Sequence, residues 1–445
     1  MIPKTAFRST RTRVISTGVG SVEGIFGRTH GVERSRVCEW ALHKIFPAGD
    51  GISPLRTAPT CARERCSGRD DPSVLKGFSG MIPSLSSWRA SGLRILCSLL
   101  VAAALFHRSA AAAPEDAALK KAGEFLMAQQ EESGAFSEHK RNARNLNAMT
   151  SLAILALTSM GHQPTDETPE GRSLKRGLDY ILRPDGQDDD GYFGGKDGSR
   201  MYGHGITTLM LAEMIGMGAD SGQDELLRTK CRKAIELILR AQKVPKSDNN
   251  RGGWRYTPES GDSDMSVTVW QTMALRAAKN AGMDVPHDAI EQAVKYIKRC
   301  FEPERDRKRG EQEGKVDFGG FGYQGRGREL STTAEGLLAL QVCGEYEAEE
   351  TLAASNRLLR DGIRPGEKWF FYLTYYYAQG MYQRGGQHAD EGRKVTANVL
   401  LPVQQRDGSW EGTGGEERQG GKIYATSLAV LALAVKNHYL PIYQR

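Results

Sequence analysis

The sequence predicts an all-α protein in which six helix pairs close into a ring. Three observations carry that expectation. Helices that are apolar on nearly every side alternate with helices apolar along one stripe, a glycine-aromatic turn recurs between them, and the unit repeats at roughly 40 to 70 residues, as repeat architectures do.

The chain has 445 residues, 26% charged and 39% apolar, with a mean hydropathy of −0.48, the profile of a soluble globular protein. Its formal net charge of +6 is unevenly placed. Up to Ala112 there are 16 Lys and Arg against 7 Asp and Glu, which leaves 44 against 47 in the remainder. The folded part therefore makes no charge-based case for nucleic acid.

Residues 1–80 carry Arg, Ser, Gly and Pro without periodicity and read as a disordered or mis-assigned leader. Residues 81–113 read as a signal peptide: Arg89 and Arg94, an apolar run from Ile95 to Phe106, then small residues before Pro114. The run is short of the roughly 20 residues that span a bilayer. Translation is therefore expected to begin at Met81, with the product exported to a periplasmic or extracellular location. Contact with a membrane surface is left open. Cys231, Cys300 and Cys343 are scattered, as core cysteines are, and form neither a disulfide framework nor a zinc pattern.

From residue 114 onward the outer helices come as amphipathic stretches. Leu174, Leu178 and Ile181 mark one face, Leu227, Cys231, Ala234 and Ile238 a second, and Ile290, Ala293, Val294 and Ile297 a third. The inner helices start at Asn147, His204, Met265, Leu330, Trp369 and Tyr424 and are apolar all round, so each must be buried. Ser and Thr near their starts are expected to cap them, with Thr332 and Glu335 at capping-box spacing. Between outer and inner helices lie Gln130–Phe136, Gln187–Phe193 and Gln404–Trp410, all of the form QxxxGx followed by Phe or Trp. Looser versions are GGWRY at Gly252 and FGGFGY at Phe318. The aromatic is expected under the turn, with the Gln amide tying neighbouring units together.

This organisation resembles the (α/α)6 toroid shared by squalene cyclases, protein prenyltransferase β subunits and complement-type thioester domains, over residues 114–445. The turn QQRDGSW is similar to the QW motif of the triterpene cyclases. The resemblance implies a catalytic acid where cyclases carry DxDD. Here that run is Asp262-Ser263-Asp264-Met265, so Asp264 holds the proton donor's place and Asp262 the position before it. A helix N-terminus favours the ionised carboxylate, which is expected to lower the pKa of Asp264. The zinc ligands of the prenyltransferases are missing, because Tyr424-Ala425-Thr426 stands where their His opens the last inner helix. The thioester run is broken too: Val342-Cys343-Gly344-Glu345-Tyr346 has Tyr in place of Gln, and Gly344 reads as a helix stop. No metal or cofactor is expected.

In such a ring the inner helices start at one end, which is expected to be electropositive and to favour anions. The residues gathered there supply the candidate binding set: Trp254, Tyr256, Trp270, Tyr202, His204, Trp369, Tyr372, Tyr376 and Tyr424. Three readings stand side by side. The first is a zinc-independent cyclase-like or prenyltransferase-like enzyme on an isoprenoid or other lipid, with Asp264 as acid. The second is a secreted carbohydrate-active lyase or hydrolase on a polysaccharide. The third is a non-catalytic binding or scaffold toroid.

Overall fold

A computed structural model describes residues 113–138, 145–304 and 316–444; the leader (1–80) and the signal segment up to residue 112 lie outside them. The inner helices are α2 (Leu146–Ser159), α4 (Arg200–Met214), α6 (Met265–Asn280), α8 (Leu330–Val342), α10 (Phe370–Arg384) and α13 (Gly421–Leu433). Each packs on the next, and α13 packs on α2, so the ring closes. Every residue of α2 from Asn147 to Ser159 is buried, as a helix apolar all round requires.

The outer helices are α1 (Pro114–Ala128), α3 (Pro169–Leu182), α5 (Ser221–Gln242), α7 (His287–Arg299), α9 (Glu349–Asp361) and α11 (Gly386–Leu400). Outer helix α1 lies against α13, and each later one lies against the inner helix just before it. Their apolar stripes face inward: Leu174, Leu178 and Ile181 in α3, for example, are fully buried. A short helix, α12 (Gly415–Gln419), precedes α13. The fourth unit departs from the all-helical plan with a small antiparallel hairpin, β1 (Phe301–Pro303) against β2 (Gly319–Phe321), which puts Phe301 opposite Phe321.

The turns work as one repeated device. Gln130 donates its side-chain amide to the carbonyl of Gly134 (3.0 Å) in its own turn and to that of Ser173 (2.9 Å) in the next outer helix. Gln187 does the same with Gly191 and Lys230, and Gln404 with Gly408 and Ala118. The third unit has the same lock: Gln242 reaches Gly252 and Ala289, both at 2.9 Å. Six extra residues between Gln242 and Gly252 hide it from the motif. Each turn glycine has positive φ and presses on the next outer helix. A Cβ on Gly134, Gly191, Gly252 or Gly408 would sit 2.3, 2.3, 2.1 or 2.3 Å from a backbone oxygen.

The conserved geometry extends to the aromatic. The amide of Phe136 donates to Thr150 Oγ1, that of Trp254 to Thr268, that of Phe321 to Thr333 and that of Trp410 to Thr426, at 3.0 to 3.2 Å. These threonines therefore bond the turn before their helix and do not cap the helix itself. The capping box expected of Thr332 and Glu335 is absent as well: Thr332 donates to the carbonyl of Phe321, and Glu335 is buried in the ring.

Five inner helices have a first-turn amide bonded from the unit that follows. Asp197 accepts from Asn147 at the start of α2, the Tyr256 carbonyl from Met201 in α4, and the Tyr323 carbonyl from Met265 in α6. Glu417 accepts from Phe370, Phe371 and Tyr372 in α10, and Glu138 from Ile423 in α13. The helix starts do share one end of the ring, but in these five helices amides expected to be free for an anion already have acceptors.

At the opposite end the chain folds back across the ring. Ile442 and Tyr443 are buried there; the Ile442 amide donates to Glu213 at 3.1 Å, Gln383 donates to the Tyr443 carbonyl at 2.6 Å, and the Tyr443 and Tyr375 hydroxyls pair. Gly344, at φ +93, follows α8 as a helix stop. No helix among the described residues is long and apolar enough to cross a membrane.

Candidate functional site

Asp264 is positioned by the turn that precedes α6. Its amide donates to the Trp254 carbonyl at 2.9 Å in an antiparallel bridge, which delivers the side chain to the helix start. There Oδ1 accepts the Val267 amide at 2.9 Å, so Asp264 is a helix cap. The other oxygen is not spent on the helix. It lies 3.4 Å from Arg255 Nη1, an ion pair without hydrogen-bond geometry, in a side chain with no exposed surface.

Burial pushes the Asp264 carboxyl up to about 7, against the pull of the Val267 amide and the Arg255 guanidinium; Asp262 adds to the rise. The lowered pKa expected from the helix start does not materialise, because loss of water around the carboxyl outweighs the Val267 and Ser266 amides and one imperfect ion pair. Asp262 stays at the rim, half-exposed and 3.4 Å from Arg255. Arg255 is further held over the Tyr256 ring, 4.4 Å from its centre.

A second carboxyl joins the group. Glu335 on α8 is buried, and burial holds it well above the usual range; the Ser266 hydroxyl lowers it in part, and Asp264 raises it further. Beside it, Tyr372 and Tyr376 meet edge to face at 4.8 Å, and Tyr376 contacts Trp270 at 5.8 Å. Trp270 stacks on Tyr375 at 5.9 Å with rings 8° from parallel. Tyr202 stacks on Tyr256 at 6.0 Å, and the Tyr256 hydroxyl pairs with that of Tyr323 at 2.6 Å. Tyr424 comes close enough to Glu335 and Tyr372 for their charges to influence one another.

The distinctive feature of this cluster is what it leaves unpaired. Asp264 Oδ2, Glu335 Oε2, Arg255 Nη1, Trp270 Nε1 and the hydroxyls of Tyr372 and Tyr376 are buried with no hydrogen-bond partner. Each such group costs about 1–3 kcal/mol. Two of them, Asp264 Oδ2 and Arg255 Nη1, face each other at 3.4 Å, and further unpaired atoms lie elsewhere in the described residues, at Tyr296, Arg357 and Gln379 among them, so the cluster is one of several places with hydrogen-bonding capacity to spare.

Other sequence candidates lie elsewhere. Trp254 sits beneath its turn and donates Nε1–H to the Ile238 carbonyl at 2.8 Å. His204 occupies the place that Thr holds in the other units: Nδ1 accepts the Phe193 amide at 3.3 Å and Nε2 faces the Ala234 carbonyl at 3.1 Å. Both ring nitrogens are thus engaged, and burial lowers its pKa to about 4. Trp369 stands just before α10 with left-handed backbone, φ +58, and is partly buried. Conversely, Arg255, Glu335 and Tyr323 belong to the site without having been singled out for it. A lone acid inside the apolar run of α8 was the available signal for Glu335.

Comparisons with known proteins agree on the architecture. The family model for the prenyltransferase alpha-alpha toroid domain matches residues 74–244 and 178–315, together more than half of the chain. No curated protein matches the sequence. Among solved structures, the GH76A alpha-1,6-mannanase from Salegentibacter sp. HEL1_6 is similar at a TM-score of 0.50 and 10% identity, over 73% of this chain and 99% of that one. The mannosidase Bt3792 from Bacteroides thetaiotaomicron gives 0.46 and 9%, over 72% and 97%. The type II terpene cyclase MstE from Scytonema gives 0.34 and 13%, over 74% and 99%. At 10% identity the likeness to the mannanase speaks to the fold alone. Ring closure, the Gln-Gly-aromatic locks and the matched family model together show that this chain belongs to the prenyltransferase alpha-alpha toroid domain family.

Proposed function

We propose that the inner-helix starts form a binding site for a hydroxyl-rich ligand of the carbohydrate class, with Asp264 as general acid. The observation that carries this reading is the set of unpartnered polar atoms. Hydroxyl groups can accept from a protonated Asp264 Oδ2, from Arg255 Nη1 and from Trp270 Nε1, and can donate to a carboxyl oxygen once it is ionised. A hydrocarbon chain would leave all of them unsatisfied. The flat faces of Trp270, Tyr372 and Tyr376 supply the apolar share of such a site. Burial raises both carboxyls, Asp264 to about 7, and a raised Asp264 suits protonation of a leaving oxygen, where the best acid has a pKa near the working pH. The similarity in fold to an alpha-1,6-mannanase is compatible with this reading.

The second reading keeps Asp264 as the acid of a terpene-cyclase-like reaction. It is favoured by the position of Asp264 before α6 and by the aromatic cluster of Trp270, Tyr375 and Tyr376. The buried polar atoms weigh against it, since a hydrocarbon substrate offers Arg255 Nη1 and Trp270 Nε1 no acceptor. Export through residues 81–113, from a start at Met81, is part of the proposal and would place the toroid where polysaccharides are met. N-terminal sequencing of the product tests it: a mature chain that keeps residues before Met81 removes this part.

The deciding experiment is calorimetric titration of the full chain with alpha-1,6-manno-oligosaccharides and other neutral oligosaccharides, in parallel with squalene and oxidosqualene in detergent. Saturable binding of an oligosaccharide, with hydrolysis or elimination lost in Asp264→Asn, is expected. Cyclised product from oxidosqualene, also lost in Asp264→Asn, would replace the first reading with the second.

A further inference from the structure

The two ends of the ring are joined by a column of aromatic side chains. Trp270 on α6 touches three tyrosines of α10: Tyr375 in a near-parallel stack (5.9 Å, 8°), Tyr376 edge to face (5.8 Å) and Tyr372 at 6.5 Å. All four rings are buried. The hydroxyls of Tyr372 and Tyr376 have no hydrogen-bond partner, so neither ring is fixed at its polar edge. The Tyr375 hydroxyl differs: it pairs with that of Tyr443, in the segment that folds back across the ring.

Tyr443 is itself firmly placed. Glu213 on α4 accepts the Ile442 amide at 3.1 Å and Gln383 on α10 donates to the Tyr443 carbonyl at 2.6 Å, so the backbone is held on both sides of the Tyr443 α-carbon. Leu440, Ile442 and Tyr443 are buried, and Pro441–Tyr443 pack against α6, the helix that carries Trp270. A hydroxyl held by a fixed partner restrains where the Tyr375 ring lies. The stack passes that restraint on, because the indole loses contact area if Tyr375 swings away.

Trp270 is the group that gains from this. Its Nε1–H is buried without an acceptor and is one of the donors that the inner-helix site offers a ligand. Such a donor serves only if it is held in place, since a hydrogen bond weakens steeply with angle. We infer that Tyr443 is a positioning residue of the inner-helix site, acting through Tyr375 to hold the Trp270 indole for a ligand that arrives at the other end of the ring. Its purpose rests on the binding reading proposed above, whereas the link from Tyr443 through Tyr375 to Trp270 rests on geometry alone.

The test first reads the link without a ligand. In the full chain labelled with fluorotryptophan, the Trp270 fluorine NMR signal is identified by its loss in Trp270→Phe. Tyr443→Phe removes one hydroxyl, and Tyr443→Phe combined with Tyr375→Phe removes both and strands neither. Both variants are expected to shift the Trp270 signal and leave those of Trp254 and Trp410 in place, since the indole N–H of each is bonded to a backbone carbonyl. A Trp270 signal unchanged in both variants overturns the inference, and so does an equal shift at Trp254 and Trp410, which is general loosening. A signal that moves in Tyr443→Phe and returns in the double variant overturns it as well, because the cause is then a stranded hydroxyl and not a lost link. Should Tyr443→Phe fail to fold, the double variant decides.

The second arm is calorimetric titration with alpha-1,6-mannotriose. Affinity is expected to fall about fivefold in the double variant, the equivalent of one modest hydrogen bond, with the urea midpoint nearly unchanged because both partners of the pair are removed together. Equal affinity in the native chain and the double variant overturns the inference and leaves the binding reading intact. Absence of binding by the native chain overturns the binding reading instead, and the fluorine signals then decide whether Tyr443 holds Trp270.

Discussion

The side-chain amide of Gln404 donates to the carbonyl of Ala118 at 2.9 Å across 286 positions of the chain, tying the last turn to the first outer helix. The same bond joins consecutive units at Gln130, Gln187 and Gln242. Here it closes the ring. Gln404→Ala leaves two backbone carbonyls short of a donor and is expected to cost about 2 kcal/mol. A lower urea midpoint at unchanged m-value measures it. Separate unfolding of the first and last units would show as a second transition.

Gly252 carries the heaviest steric constraint of the four turn glycines. A Cβ there meets the Gln292 carbonyl oxygen at 2.1 Å, and φ is +90. Gly252→Ala is expected to destabilise the fold by about 2 kcal/mol or more, through strain and a forced shift of α7. Gly414→Ala, with no such neighbour, serves as the comparison in the same denaturant series.

His204 stands where other units use Thr, and its ring spans two backbone groups, the Phe193 amide and the Ala234 carbonyl. His204→Thr keeps an acceptor for Phe193 and abandons Ala234. A loss of about 1 kcal/mol is expected, with ligand binding unaltered. A binding constant that collapses while the melting temperature holds would return His204 to the site.

Stability should fall as pH rises above neutrality. Burial raises Asp264 to about 7 and Glu213 to about 8, and raises Glu335 as well. With pKa values raised in the folded state, the native chain holds more protons than the unfolded chain, so the slope of stability against pH is negative until these groups ionise. Acids of lowered pKa, such as Asp407 at about 2, act only in acid, and His204, lowered to about 4, acts below 6.5. Between pH 6.5 and 8.5 the urea midpoint is therefore expected to drop. Glu213→Gln, which keeps a carbonyl for the Ile442 amide, should flatten the upper part of that drop.

The ring was legible because its causes are local and repeated. Apolar periodicity separates inner from outer helices, and the glycine of each turn is demanded by one close approach. The third Gln lock escaped because a motif fixes spacing, whereas the loop between Gln242 and Gly252 absorbs six residues without moving either end. The site was only half legible. Asp264 announced itself by the resemblance, but Arg255 reads as one more turn residue until the fold places it 3.4 Å from that carboxylate. The direction of the Asp264 pKa could not be had from helix position, because the deciding quantity is burial, which only the packed fold reveals. Glu417 was silent for the same reason: its partners lie 45 to 47 positions away.

The tail that crosses the far end of the ring closes that end from within the same chain. Glu213 and Gln383 each hold a backbone group of residues 442–443, and Tyr375 holds the ring of Tyr443 from the inside. With that floor in place a polymer cannot be threaded through. A ligand of the proposed site would therefore have to enter and leave by the helix-start end.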